Sequence, residues 1–141
     1  MIVLRLFARA WLGLWLSACT ARAQAYIVAP DTGQRLYQYD GMHLVAYQSN
    51  QRLFKWDGEY ILAYQSNQRL YRWDGRHLIA YESNQRLCTY DGANISAYQT
   101  NQRIRRFNGQ YLMAYDSNQR LLEIKGSVPI ALIIALALGL L

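Results

Sequence analysis

From residue 32 to 126 apolar and polar positions alternate in short runs that never exceed seven residues, and each run is closed by a turn signal. Asp-Gly pairs punctuate one side of these runs and Ser-Asn pairs the other, with Val, Ile, Leu, Tyr, Phe and Trp concentrated between them. That is the signature of strands joined as hairpins, since β-branched and aromatic residues suit a pleated surface and Asp-Gly suits a tight reversal. Helices are not expected there. The pattern places strands at about 51–56 and 59–65 around Asp57-Gly58.

The runs recur with a period of 17 residues. Registers begin at Thr32, Ser49, Ser66, Ser83, Thr100 and Ser117, with five complete copies and a truncated sixth. Arginine recurs at Arg35, Arg52, Arg69, Arg86, Arg103 and Arg120, and an Ala-Tyr pair at Ala46-Tyr47, Ala63-Tyr64, Ala80-Tyr81, Ala97-Tyr98 and Ala114-Tyr115. A two-residue Asp57-Gly58 turn puts Trp56 opposite Glu59, Phe54 opposite Ile61 and Arg52 opposite Ala63, all on one face. Because the unit length is odd, a second two-residue loop would invert the faces of every following unit. A three-residue loop Ser66-Asn67-Gln68, with Asn67 left-handed, restores register and sets Tyr64 opposite Leu70.

Both faces then carry apolar groups. Leu44, Ile61, Leu78, Ile95 and Leu112 accompany the aromatic pairs on one face, and Leu36, Leu53, Leu70 and Leu87 accompany the tyrosines on the other. A flat sheet would leave one face wet, so the fold class expected is all-β. Tandem hairpins of about eleven strands would curl into a spiral, an open barrel or a two-layer array. Strands of six or seven residues are shorter than the roughly 9–11 that cross a membrane in a barrel.

The ends read differently. Residues 1–18 carry Arg5 and Arg9 without an acid, then the short apolar run Ala10–Leu16, the form of an export signal. Leu16-Ser17-Ala18-Cys19 resembles a bacterial lipobox, which implies lipidation of Cys19; the alternative is ordinary cleavage after Ala23. Residues 19–31 form a linker, 32–126 the repeat domain and 127–141 an apolar tail without charge. Fourteen helical residues span about 21 Å, short of a ~30 Å hydrocarbon core. The tail is open to shallow membrane insertion, removal as a sorting tail, or capping of the sheet. The expected location is the cell envelope, membrane-anchored through Cys19, with plain secretion or GPI anchoring as alternatives.

The Tyr-Asp-Ser-Asn-Gln-Arg-Leu stretch at Tyr115–Leu121, with relatives at Tyr64–Leu70 and Tyr81–Leu87, resembles the YD repeat of Rhs and teneurin-type surface proteins. That resemblance implies hairpins in a continuous spiralling sheet. The short aromatic hairpins are also similar in style to choline-binding and clostridial toxin repeats, which bind glycans.

Composition narrows the function. The chain is 52% hydrophobic and 17% charged, and from Cys19 onward 13 basic residues face nine acidic ones spread evenly. This excludes a disordered arm and makes nucleic acid a poor partner. No nucleophile, base and orienting acid recur together, so neither an enzyme nor a cofactor or metal is expected. His43 and His77 occupy a position that Tyr60 and Tyr111 also fill, and Cys88 replaces an aromatic residue. The candidate ligand-binding set is Trp56, Trp73, Tyr39, Tyr90, Arg52, Arg69, His43 and His77, as shallow glycan sites multiplied by avidity. The alternative is a purely structural or assembly module of the envelope with no small ligand.

Overall fold

The computed structural model describes residues 24–141. Twelve antiparallel strands close into one barrel, and a single helix follows them. The strands are β1 (Ala25–Val28), β2 (Arg35–Tyr39), β3 (His43–Ala46), β4 (Gln51–Trp56), β5 (Tyr60–Ala63) and β6 (Arg69–Trp73). They continue as β7 (His77–Ala80), β8 (Arg86–Tyr90), β9 (Asn94–Ala97), β10 (Arg103–Phe107), β11 (Tyr111–Ala114) and β12 (Arg120–Lys125), and α1 spans Ile130–Ala137. Each strand pairs with its chain neighbours, and β1 also pairs with β12 through Tyr26↔Lys125, Ile27↔Ile124 and Val28↔Glu123.

That seam departs from the spiral, open or layered forms expected above, because β1 lies inside the stretch 19–31 read as a linker. Tyr26-Ile27-Val28-Ala29 has the pattern of Tyr60-Ile61-Leu62-Ala63, so a half unit at the start supplies the strand that the truncated unit at the end lacks. Closure leaves no free sheet edge.

The apolar tail fills the lumen. Ala131 to Ala135 are five consecutive helical residues at 0–1% exposure. At 3.6 residues per turn they cover the whole circumference of the helix, so it is enclosed on all sides. They form one cluster with the inward column Ile27, Leu44, Ile61, Leu78, Ile95 and Leu112. Pro129 precedes α1, and Gly139 at φ +67° ends it: Leu140 N–H donates to Ala135 O (2.9 Å) and Gly139 N–H to Leu136 O (3.1 Å). This paired closure satisfies the last carbonyls inside an apolar core. No helix among the described residues is long and apolar enough to cross a membrane.

The turns differ from the reading above in a way that explains the faces. Trp56 pairs with Ile61 and Lys55 with Leu62, two residues out from the expected register, so the same side chains share a face across a longer connection. Gly58 has φ +101° but Asp57 is not left-handed, so the turn is not type I′. Instead the Asp57 carboxylate closes it, Oδ1 accepting Glu59 N–H at 2.9 Å and Tyr60 N–H at 2.7 Å.

At the other barrel end Asn67 is left-handed as expected, φ +59°, but Ala63 N–H donates to Gln68 O (2.9 Å) across a four-residue loop. The odd residue is absorbed by a bulge: Ile61 pairs with Tyr71 and Leu62 with Arg69, leaving Leu70 unpaired. Leu36, Leu53, Leu87, Ile104 and Leu121 are left over in the same way. Bulges raise local twist and bend the strand, which is how a sheet of short strands curls to closure.

The aspartates of the turn rim tie stability to acid. Burial pushes the Asp74 carboxyl upward, but the N–H groups of His77 and Arg76 and the His77 ring outweigh it and hold the group at about 2, against an ordinary 3.8. Asp40 and Asp91 are lowered by the same kind of turn. A carboxylate lowered in the folded state contributes stability above its unfolded value and loses it as pH falls through the folded value. The melting temperature is therefore expected to fall between about pH 4 and pH 2. Asp74→Asn should flatten that part of a melting profile against pH, and an unchanged profile would contradict the assignment.

Candidate binding slots on the outer wall

The eight candidate ligand-binding residues divide between the two faces of the wall. Tyr39 is buried, and Trp56, Trp73 and Tyr90 are half-buried against the lumen core. Tyr90 Oη donates to Gly92 O at 3.0 Å. Burial first, and the neighbouring Asp40 and Asp91 second, push the Tyr39 and Tyr90 phenols upward. Arg52, Arg69, His43 and His77 lie on the outer face. The bulge explains the separation: with Leu53 left unpaired, Arg52 moves from Trp56's face to the face of Tyr64.

On the outer face these residues meet tyrosines that the candidate set omits. Arg52 Nη1 donates to Tyr64 Oη at 3.4 Å, and the His43 ring packs edge-on against Tyr64 with centroids 5.4 Å apart. Arg69 lies over the Tyr60 ring at 4.2 Å, and Tyr60 packs edge-on against Tyr81 at 5.7 Å. His77 meets Tyr98 at 5.7 Å, and Arg86 Nη1 donates to Tyr98 Oη at 3.3 Å. His43 and His77 are also fixed from the turn side, with Nδ1 at 3.4 Å from Asp40 Oδ2 and 3.0 Å from Asp74 Oδ2. The recurring Ala-Tyr pair is the signal that marks these tyrosines. Tyr47, Tyr64, Tyr81 and Tyr98 are 41–45% exposed, the large hydrophobic surface of this wall.

Concavities lie beside three of these arginines, Arg35, Arg69 and Arg120. Arg35 over Tyr26 (4.0 Å) borders a slot of about 430 Å³ lined by Gln34, Tyr47, Gln48 and Ser49. Arg69 borders a slot of about 320 Å³ lined by the corresponding Gln68, Tyr81, Glu82 and Ser83. Arg120 over Tyr111 (4.0 Å) borders a third hollow of about 470 Å³, lined with Gln119 and Asp31. Whereas the third offers Arg120, Gln119 and the Asp31 carboxylate, the first two slots combine an aromatic face with a held guanidinium and several amide or hydroxyl groups. That combination stacks on a flat apolar surface and hydrogen-bonds groups around its edge.

Another recess of about 700 Å³ lies where the tail enters the barrel, lined by Tyr39, Trp56, Asp57 and Pro129. Among the described residues no three His, Cys, Asp or Glu side chains are grouped to hold a metal. Cys88 is buried on the inner face, and burial pushes its thiol up to about 11, which keeps it protonated and unreactive. Cys19 lies outside the described residues. No family model, curated protein or solved structure matches the chain.

Proposed function

We propose that the chain is a surface-tethered, multivalent binding or adhesion module whose ligands are glycans. The 17-residue unit is its repeating element, and a shallow contact recurs on the outer wall two units apart, at Arg35 and Arg69. The observation that carries the reading is the recurrence of one slot at Arg35 and again at Arg69, with arginine, glutamine, tyrosine and serine in corresponding places. A sugar ring presents an apolar face and a hydroxyl edge, and both have partners in such a slot. Weak contacts repeated on one rigid wall act together through effective concentration.

Tyr47→Ala and Tyr81→Ala are expected to weaken glycan binding on an array about three- to tenfold each without moving the melting temperature, since partly exposed side chains contribute little to folding. A flat array, with the tyrosine variants markedly less stable, would favour a purely structural module of the envelope instead.

Tethering rests on Leu16–Cys19. Radiolabelled palmitate is expected to enter the wild type and not Cys19→Ala in a bacterial host; equal labelling of both would reject lipidation and leave export standing.

A further inference from the structure

The repeated slots do not account for one part of the wall. Arg103, Arg105 and Arg106 place three arginines within four residues of β10. Ile104 is left unpaired by a bulge, so Arg105 enters the inward column beside Ile95, while Arg103 and Arg106 face outward. Both reach Tyr115. Arg103 Nη1 donates to Tyr115 Oη at 3.2 Å, and the Arg106 guanidinium lies 5.3 Å from the ring centroid. Arg106 Nη1 also donates to Asn118 Oδ1 at 3.1 Å.

Among the described residues the close contacts between basic side chains and carboxylates are His43 with Asp40 and His77 with Asp74, so no carboxylate lies within 4.0 Å of either guanidinium. Asp91 acts on Arg103 from beyond ion-pair distance, and two like charges held on one phenol still repel each other. Each guanidinium has five N–H donors, and most of them here have no protein partner. In the corresponding places of the other units stand Gln38, Lys55, Arg72, Thr89 and Glu123, so a second cation recurs at Lys55 and Arg72, and what sets β10 apart is the contact of Arg106 with the Tyr115 ring and with Asn118.

We infer that Arg103 and Arg106, oriented by Tyr115 and Asn118, bind the anionic substituent of a glycan: a sulfate, phosphate or carboxylate carried on the sugar. The inference rests on the glycan-binding reading and narrows it to charged polysaccharides. Oxyanions match the guanidinium fork in shape as well as charge. The field at this point is already visible in Tyr115, whose phenol is lowered by the hydrogen bond and charge of Arg103 and further by Arg106. Nucleic acid, the other polyanion, is separated from a charged glycan by the comparison with single-stranded DNA below.

The test is calorimetric titration of the full-length protein with dextran sulfate and with unsulfated dextran of equal length. Dextran sulfate is expected to bind, with R103Q/R106Q weakening it about tenfold or more, while R76Q/K125Q, which removes equal charge elsewhere, stays within about twofold. Saturation with dextran sulfate should also raise the titration of Tyr115, read as the difference in phenolate absorbance between wild type and Tyr115→Phe. Equal loss in both charge variants would overturn the site, because net charge alone would then explain binding. Unsulfated dextran binding as tightly as the sulfated polymer would overturn the anionic preference and leave the glycan reading intact. Binding of neither polymer, with a flat glycan array, would overturn both. Displacement by inorganic sulfate at equal sulfate concentration, or tighter binding of single-stranded DNA of equal charge, would overturn the assignment to a glycan.

Discussion

Truncation after Gly126 is expected to abolish the cooperative unfolding of the barrel. The removed residues include Leu132, Ile133 and Ile134, each at 0–1% exposure in the centre of the lumen. Cutting one buried Leu or Ile back to Ala costs about 2–5 kcal/mol. Three together reach the whole stability of a typical domain, roughly 5–15 kcal/mol. An empty apolar lumen either fills with water at high cost or collapses, and collapse is opposed by a closed ladder of strands. Leu132→Asp should act in the same direction with the chain length kept, because the carboxylate would have no partner in the cluster. Chemical denaturation followed by circular dichroism, with an apolar dye to report exposed lumen surface, checks both. A truncated protein with an unchanged midpoint and no dye binding would show that the barrel stands without its filling.

The second large effect concerns Trp56 and Trp73. Each is half-buried and packed against the lumen cluster. Fully buried Trp→Ala changes cost about 3–5 kcal/mol, and partial exposure sets the expectation at the low end, about 3 kcal/mol for each. Their outward neighbour Tyr81, 45% exposed, should cost well under that when changed to Ala. If the proposed glycan binding holds, affinity per folded molecule should show the reverse order. Thermal melts of Trp56→Ala, Trp73→Ala and Tyr81→Ala alongside binding curves separate the two quantities. A stable Trp73→Ala protein that no longer binds glycan would return the tryptophans to the binding surface.

Much of the wall is legible in the chain. Alternation, Asp-Gly and the left-handed asparagines follow from local chemistry, and Leu44, Ile61, Leu78, Ile95 and Leu112 belong to one face on pattern alone. Three features escape such reading for distinct reasons. Ala25–Val28 carries neither the recurring arginine nor the glycine, so a search anchored on those columns passes over a strand that only its partners define. An apolar segment such as Val128–Leu141 has the same composition whether its surroundings are protein or lipid, and only the closed wall around it shows which. The third is the face on which Arg52 lies. One unpaired residue at Leu53 turns Arg52 over, and the aromatic partner changes from the half-buried, inward Trp56 to the exposed Tyr64.

The β1–β12 seam also constrains the order of events during synthesis. The first strand of the barrel waits for the last, so the pairing with the greatest separation along the chain is also the one that completes the sheet. Closing so large a loop is entropically costly and sets a slow final step. Until then β1 and β11 each present an unpaired edge able to join another chain, a hazard that ends only at closure. Because α1 follows β12 after only Gly126–Pro129, the filling of the lumen and the sealing of the wall fall within one event. A nascent chain stalled before Arg120 is therefore an open, sticky sheet rather than a smaller barrel.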